Sequence, residues 1–186
     1  EANQLFARAA NTPGLQLVGA HVYDGHTTHK ANFEERKALA DKTLQYIKDI
    51  WAHAGRQGLE ISDTVAGGSW SFYFYVNEKS IRLSPGTWIY WDHMNGMMKE
   101  LPFKVAATVL AQVVDQNVGE DTVTVDIGSK AISSDLLTPQ RFKVLGHPSM
   151  ELTAQSEEHG VIKRNGAVVN VGDYILASPG HACTTT

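Results

Sequence analysis

Cysteine is nearly missing from this sequence: Cys183 is the only one among 186 residues. A single thiol excludes an internal disulfide and fits a reducing compartment, so the cytoplasm is the expected location. Basic charge is not in excess either. Sixteen Lys and Arg stand against twenty Asp and Glu, a formal net charge of −4, and nothing in that balance suggests nucleic acid as a partner. Long apolar runs are absent, which excludes a membrane-spanning helix, and there is no internal repeat or low-complexity segment. No signal peptide and no initiator methionine open the chain. Glu1-Ala2-Asn3-Gln4-Leu5-Phe6 reads like the middle of an amphipathic helix, and the chain stops on Thr184-Thr185-Thr186. Both ends are expected to continue in something longer.

What is present draws attention to the lone thiol. Cys183 lies in Pro179-Gly180-His181-Ala182-Cys183-Thr184, just after the apolar run Tyr174-Ile175-Leu176-Ala177. In an extended segment residues i and i+2 point to one side, so His181 and Cys183 can converge on one ion. Thiolate plus imidazole suits Zn²⁺, and two protein ligands leave positions open for water or substrate. The same residues also fit a small buried thiol beside a solvated histidine.

Along the chain, Leu5 to Ala10 reads as the end of a helix closed by the turn Asn11-Thr12-Pro13-Gly14. Leu15 to Tyr23 reads as a buried strand that opens into Asp24-Gly25-His26-Thr27-Thr28-His29. Asn32 with Glu35 resembles a capping box, and Ala40, Leu44, Ile47, Trp51 and Ala54 mark one face of a long helix behind it. Leu59 to Val65 is a second strand, ending in Ala66-Gly67-Gly68-Ser69. Strand, loop, helix, strand, glycine loop is the grammar of a parallel α/β sheet or barrel, whose ligands sit at the C-terminal ends of strands. After about residue 80 the grammar changes. Ile81-Arg82-Leu83 and Thr87 to Trp91 read as paired strands around a Ser84-Pro85-Gly86 turn. Val105 to Val114, Thr122 to Ile127, Phe142 to Leu145, Gly160 to Lys163 and Tyr174 to Ala177 continue a mostly antiparallel β-domain. The expected division is 1–80 and 81–186.

Several groups can carry chemistry. Gly67-Gly68-Ser69 can offer amides and a hydroxyl to a phosphate, and Pro85-Gly86-Thr87 a second set, although both patterns also mark ordinary turns. His21, Tyr23, His26 and His29 cluster at the end of the first strand, where histidines serve proton transfer or simply face water. Asp92-His93 is a functional pair or the end of a strand. Ser156-Glu157-Glu158-His159-Gly160 is an acid–histidine pair near a site or a charged turn.

Taken in order, Tyr23-Asp24-Gly25-His26, Gly67-Gly68-Ser69, Pro85-Gly86-Thr87, Asp126-Ile127-Gly128-Ser129-Lys130-Ala131, Ser156-Glu157-Glu158-His159-Gly160 and Pro179-Gly180-His181-Ala182-Cys183 resemble one family. It is the D-threonine aldolase and D-serine dehydratase family of fold-type III, alanine-racemase-like pyridoxal-phosphate enzymes, and the resemblance covers nearly the whole chain. It implies an α/β plus all-β fold: the C-terminal part of a cofactor-binding TIM-type barrel, then a mostly antiparallel β-domain.

By the same resemblance, His181 and Cys183 match a divalent-metal pair, for Zn²⁺ or Mn²⁺. Gly67, Gly68, Ser69, Gly86 and Thr87 match the phosphate cradle of pyridoxal 5'-phosphate, with His21 and Tyr23 lining the cofactor. His29 matches a histidine proposed as the base in the aldolase branch. The family's Schiff-base lysine belongs to a region before Glu1, so this chain corresponds to the C-terminal half of such an enzyme. The implied substrate is a β-hydroxy-D-amino acid, and the implied assembly is a homodimer. Retro-aldol cleavage to glycine and an aldehyde is favoured by His29. Elimination to a keto acid and ammonia is favoured by Cys183, because the best-known aldolases carry a carboxylate there. A non-catalytic fragment that binds metal or cofactor is the third reading.

Overall fold

The computed structural model describes every residue of the chain except His29, so the base expected there lies outside the described residues. The chain divides into two units, Glu1–Gly86 and Thr87–Thr186.

The first unit runs α1 (Ala2–Ala10), β1 (Gly19–Val22), α2 (Phe33–Arg56), β2 (Asp63–Ala66) and β3 (Arg82–Leu83). The three strands form a parallel sheet in that order. Helix α2 starts as the capping pattern predicts, with the Asn32 side chain accepting from the Glu35 N–H at 3.0 Å. Its inner face carries Ala40, Ile47 and Ala54, all buried. Ile47 forms a small core with Ala66 and Ile81, against which Val22, Leu44, Trp51 and Leu83 pack. Trp51 donates its indole N–H to Thr64 at 2.8 Å, tying the helix to the middle of the sheet.

The segment 81–91 departs from the expected hairpin. Arg82–Leu83 pairs parallel to β2, and the Ser84 N–H extends that ladder to the Ala66 carbonyl at 3.1 Å. Burial of Ile81 beneath α2 commits this segment to the open edge of β2. Thr87–Ile89 is a 3₁₀ turn instead of a strand. The aromatic run that looked like strand sequence serves another purpose: Trp88 and Trp91 pack on Phe103, with ring centroids 5.4 and 4.8 Å away.

The second unit holds six strands, β4 (Val109–Asn117), β5 (Thr122–Val125), β6 (Phe142–Val144), β7 (Glu151–Gln155), β8 (Gly160–Lys163) and β9 (Tyr174–Pro179). They form one antiparallel sheet in the order β6-β9-β4-β5-β8-β7. Alternation decides its faces: Ala111 and Val113 of β4, and Ile175 and Ala177 of β9, point inward, while Leu110 and Leu176 point out. Phe142, Val123, Val125, Leu152 and Ile162 complete the core. Phe142 is 1% exposed at its centre. Phe142→Ala is expected to destabilise this unit by about 3–5 kcal/mol, through lost burial and the cavity left behind. Chemical denaturation checks this, and an unchanged midpoint would place Phe142 outside the cooperative core. Among the described residues no helix is long and apolar enough to cross a membrane.

Candidate functional site

In the first unit, Val22, Thr64 and Ala66 face helix α2, so the alternating residues His21 and Val65, paired in register, face the opposite side of the sheet. His21 is exposed there. Tyr23 follows at the strand's C-terminal end and is 68% exposed despite its size. Its ring lies over the glycine loop after β2: a Cβ on Gly68 would fall 3.0 Å from ring carbon Cε2, and one on Gly25 would fall 2.6 Å from Cε1. Tyr23 and Gly68, 45 positions apart, are thus brought together.

Asp24 organises this loop. Buried to 1% exposure, it accepts the Gly68 N–H at 3.1 Å through Oδ1 and the Tyr75 hydroxyl at 2.7 Å through Oδ2. Burial, and then the adjoining Asp24 carboxylate, push the Tyr75 phenol well above its ordinary range, so it stays a donor. The Gly68 N–H therefore shapes the loop. Ser69 is buried at the following turn. Gly86 ends this unit and Thr87 begins the next.

In the second unit the tail after β9 is not extended. Residues 181–186 turn back on themselves, with the Thr185 and Thr186 N–H groups donating to the Ala182 carbonyl at 3.0 and 3.2 Å. The i,i+2 geometry expected of His181 and Cys183 in a strand is thus replaced by a turn. Two anchors impose it. Gly180 lies so close to the β6 approach that a Cβ would meet the Gln140 carbonyl oxygen at 2.0 Å, and its N–H donates to Arg141 at 2.7 Å. Between the two candidate ligands, the Ala182 N–H donates to buried Asp92 at 2.9 Å.

Asp92 also accepts from the Asn95 N–H at 2.8 Å. Burial pushes its carboxyl above the usual range, and the two N–H donors offset this only in part. Beside it, burial and then the nearby Lys143 hold the His93 imidazole below its usual value. His93 donates its backbone N–H to Pro179 at 2.9 Å, a second tie on the same segment.

His181 turns its Nδ1 to Asp135 Oδ2 at 2.5 Å. Burial opposes ionisation of Asp135, but the hydrogen bonds from Ser133 and His181 outweigh it and hold the carboxyl below the usual range. Cys183 is exposed. Desolvation, then the charges of Asp92 and Asp135, push its thiol up. His181 pairs with Asp135, and the Cys183 thiol feels the charges of Asp92 and Asp135, so an imidazole and a thiol, donors whose chemistry suits a divalent cation such as Zn²⁺, lie in an acidic setting. Among the described residues no group of three or more His, Cys, Asp or Glu could hold a metal, so a cation here would take its remaining ligands from water or substrate.

The Ser156–Gly160 segment is a charged turn. Its Glu157 and Glu158 pair with Lys130 at 2.9 and 2.8 Å. The two long motifs interlock through the backbone, with Ser129 and Lys130 donating to Ser156 and Glu157 at 2.9 and 3.1 Å. Of the residues that order the candidate sites, Asp24 lies in the Tyr23–His26 motif and Asp92 in the Asp92-His93 pair, whereas Asp135 carries no local sequence signal.

A family model described as "Putative serine dehydratase domain" matches residues 106–186, which lie in the second unit. Across the chain, the 3-hydroxy-D-aspartate aldolase of Paracoccus denitrificans (strain Pd 1222) is 28% identical over 186 residues, 95% of this chain and 47% of the relative. The crystal structure of D-threonine aldolase from Filomicrobium marinum superposes with a TM-score of 0.87 at 27% identity, covering 99% of this chain and 50% of that one. An ala racemase-like protein from Idiomarina loihiensis shares the fold, with a TM-score of 0.84 at 22% identity over 98% of this chain and 53% of that one. The chain thus spans about half the length of the curated relatives it matches. These findings bear out the resemblance read from the motifs, to the C-terminal portion of the fold-type III D-threonine aldolase and D-serine dehydratase family.

Proposed function

We propose that this chain, the counterpart of the C-terminal half of fold-type III D-threonine aldolases, forms part of a pyridoxal-phosphate- and divalent-metal-dependent lyase acting on β-hydroxy-D-amino acids. The observation that carries this reading is His181, held through Nδ1 by Asp135 two residues before Cys183, which leaves its Nε2 for a cation such as Zn²⁺ or Mn²⁺. When bound, the pyridoxal ring supplies an electron sink and the cation a Lewis acid at the substrate's β-hydroxyl.

The chain's own residues then divide the remaining work. His181 and Cys183 would hold the cation. In the first unit Gly67, Gly68, Ser69 and Gly86 would hold the cofactor phosphate, with Asp24 keeping the glycine loop in shape. The exposed ring of Tyr23 and the imidazole of His21 line the cofactor. His29 would take the β-hydroxyl proton as the Cα–Cβ bond breaks to release the aldehyde, and a proton returned to Cα would complete glycine. The Schiff-base lysine and the rest of the barrel come from outside this chain. The assembly is a cytoplasmic homodimer.

D-threonine and 3-hydroxy-D-aspartate are the substrates to try first, since similar proteins are named for them. The full-length protein is expected to convert D-threonine to glycine and acetaldehyde. One feature favours elimination: Cys183 resembles the dehydratase branch more than the aldolases. Pyruvate and ammonia from D-serine, without glycine from D-threonine, would overturn cleavage in favour of elimination. Turnover of neither substrate class would overturn the lyase reading.

A further inference from the structure

The carboxylate bound to His181 belongs to a closed hydrogen-bond circuit that ends on the tail itself. Asp135 sits on the connection between β5 and β6, 46 positions before His181. Its second oxygen accepts from the hydroxyl of Ser133, a residue only 2% exposed. Ser133 Oγ in turn accepts from the Thr184 hydroxyl at 2.6 Å, and the Ser133 N–H donates to Thr185 Oγ1 at 3.0 Å. The Thr185 hydroxyl closes the circuit by donating to the His181 carbonyl at 2.9 Å.

The hydroxyl donors of this circuit run toward the carboxylate. Each hydroxyl has a single proton to give: Thr184 gives its proton to Ser133, and Ser133 gives its own to Asp135. The 2.5 Å contact lies between Asp135 Oδ2 and His181 Nδ1, and with Asp135 Oδ2 as the acceptor Nδ1 is the donor. The lone pair of Nε2 is then turned away from the support. That is the tautomer a metal-ligating histidine needs, with its ring orientation set by a partner that does not touch the metal.

We propose that Asp135, supported by Ser133 and by the threonines following the candidate ligands, is a positioning residue that fixes the tautomer and ring orientation of His181 for metal binding. The inference rests on the metal reading above. The circuit also assigns Thr184 and Thr185 a role: the residues after the ligand pair hold the frame that the ligands need. Because the Asp135 side chain is 42% exposed, its removal leaves the core intact.

The test measures metal affinity directly, by chelator competition with Zn²⁺ on the metal-stripped full-length protein, alongside the absorption spectrum of the Co²⁺ form. Wild type is expected to bind one ion per chain at this site, and His181→Ala to lose it. Asp135→Ala is expected to bind the same single ion about 10–100-fold more weakly, with an unchanged Co²⁺ spectrum because the ligands are the same. Asp135→Asn, which keeps an acceptor for Nδ1–H, should recover part of that loss. Ser133→Ala should weaken binding less than Asp135→Ala. Wild-type affinity in Asp135→Ala overturns the proposal and leaves the metal site standing. A Co²⁺ spectrum missing a ligand in Asp135→Ala also overturns it, since Asp135 would then be a ligand itself. If wild type binds no stoichiometric ion, the metal reading fails and this inference falls with it.

Discussion

His181→Ala is expected to remove stoichiometric metal from the full-length enzyme and to lower its turnover of D-threonine by about 10³-fold. A Lewis acid at the reacting oxygen is worth several kcal/mol, and each ~1.4 kcal/mol is a factor of ten in rate. The chain has little to substitute for this imidazole. Among the described residues no group of three or more His, Cys, Asp or Glu could hold a metal, so with the proposed pair His181 and Cys183 the loss of His181 would leave an ion on Cys183 alone. Chelator treatment of the wild type should reproduce the loss, and added Zn²⁺ or Mn²⁺ should reverse it. Metal content by elemental analysis, read beside turnover, separates the effect from misfolding. Full activity in His181→Ala with no bound metal would remove the cation from the mechanism.

Gly180→Ala should be nearly as damaging, for a different reason. An added Cβ would lie 2.0 Å from the Gln140 carbonyl oxygen and 2.8 Å from Leu136 Cδ1. Backbone cannot yield as a flexible side chain does, so the tail must move away from β6 and lose the 2.7 Å bond from the Gly180 N–H to Arg141. Overpacking of this kind costs about 1–3 kcal/mol, and the contact here is with fixed backbone, so about 3 kcal/mol or more is expected. Because His181 follows directly, metal affinity should fall together with stability. Gly55→Ala is the control: nothing lies within 4 Å of its added Cβ, and it sits near the end of α2. Denaturation midpoints and Zn²⁺ affinities of the two variants test this. A Gly180→Ala protein with the wild-type midpoint and wild-type affinity would show that the tail is not held as described.

What could be read from the chain was local. Asn32 and Glu35 marked the start of α2, because a cap is formed between residues three apart. The spacing of Ala40, Leu44, Ile47, Trp51 and Ala54 marked its buried face, because helical periodicity is a property of the segment alone. β-Branched runs and short segments set off by Gly, Asn and Asp marked β4, β5, β6, β8 and β9. Strand β7 was missed because only Leu152 of Glu151–Gln155 is buried, and an irregularity between Leu152 and Ala154 breaks the period.

The sequence by itself determined the ordered motifs, the helix and its cap, the change from parallel to antiparallel sheet, and His181 and Cys183 as a candidate ligand pair. Each of these follows from neighbours along the chain. Only the tertiary structure decided that Arg82–Leu83 joins β2, that the tail turns instead of extending, and which carboxylates meet it. Asp135 and Asp92 lie 46 and 90 positions from the groups they bind. Separations of that size leave no periodicity to read. Packing of β6 and β9, and of Gly180 against Gln140, selects those partners once the sheet has formed.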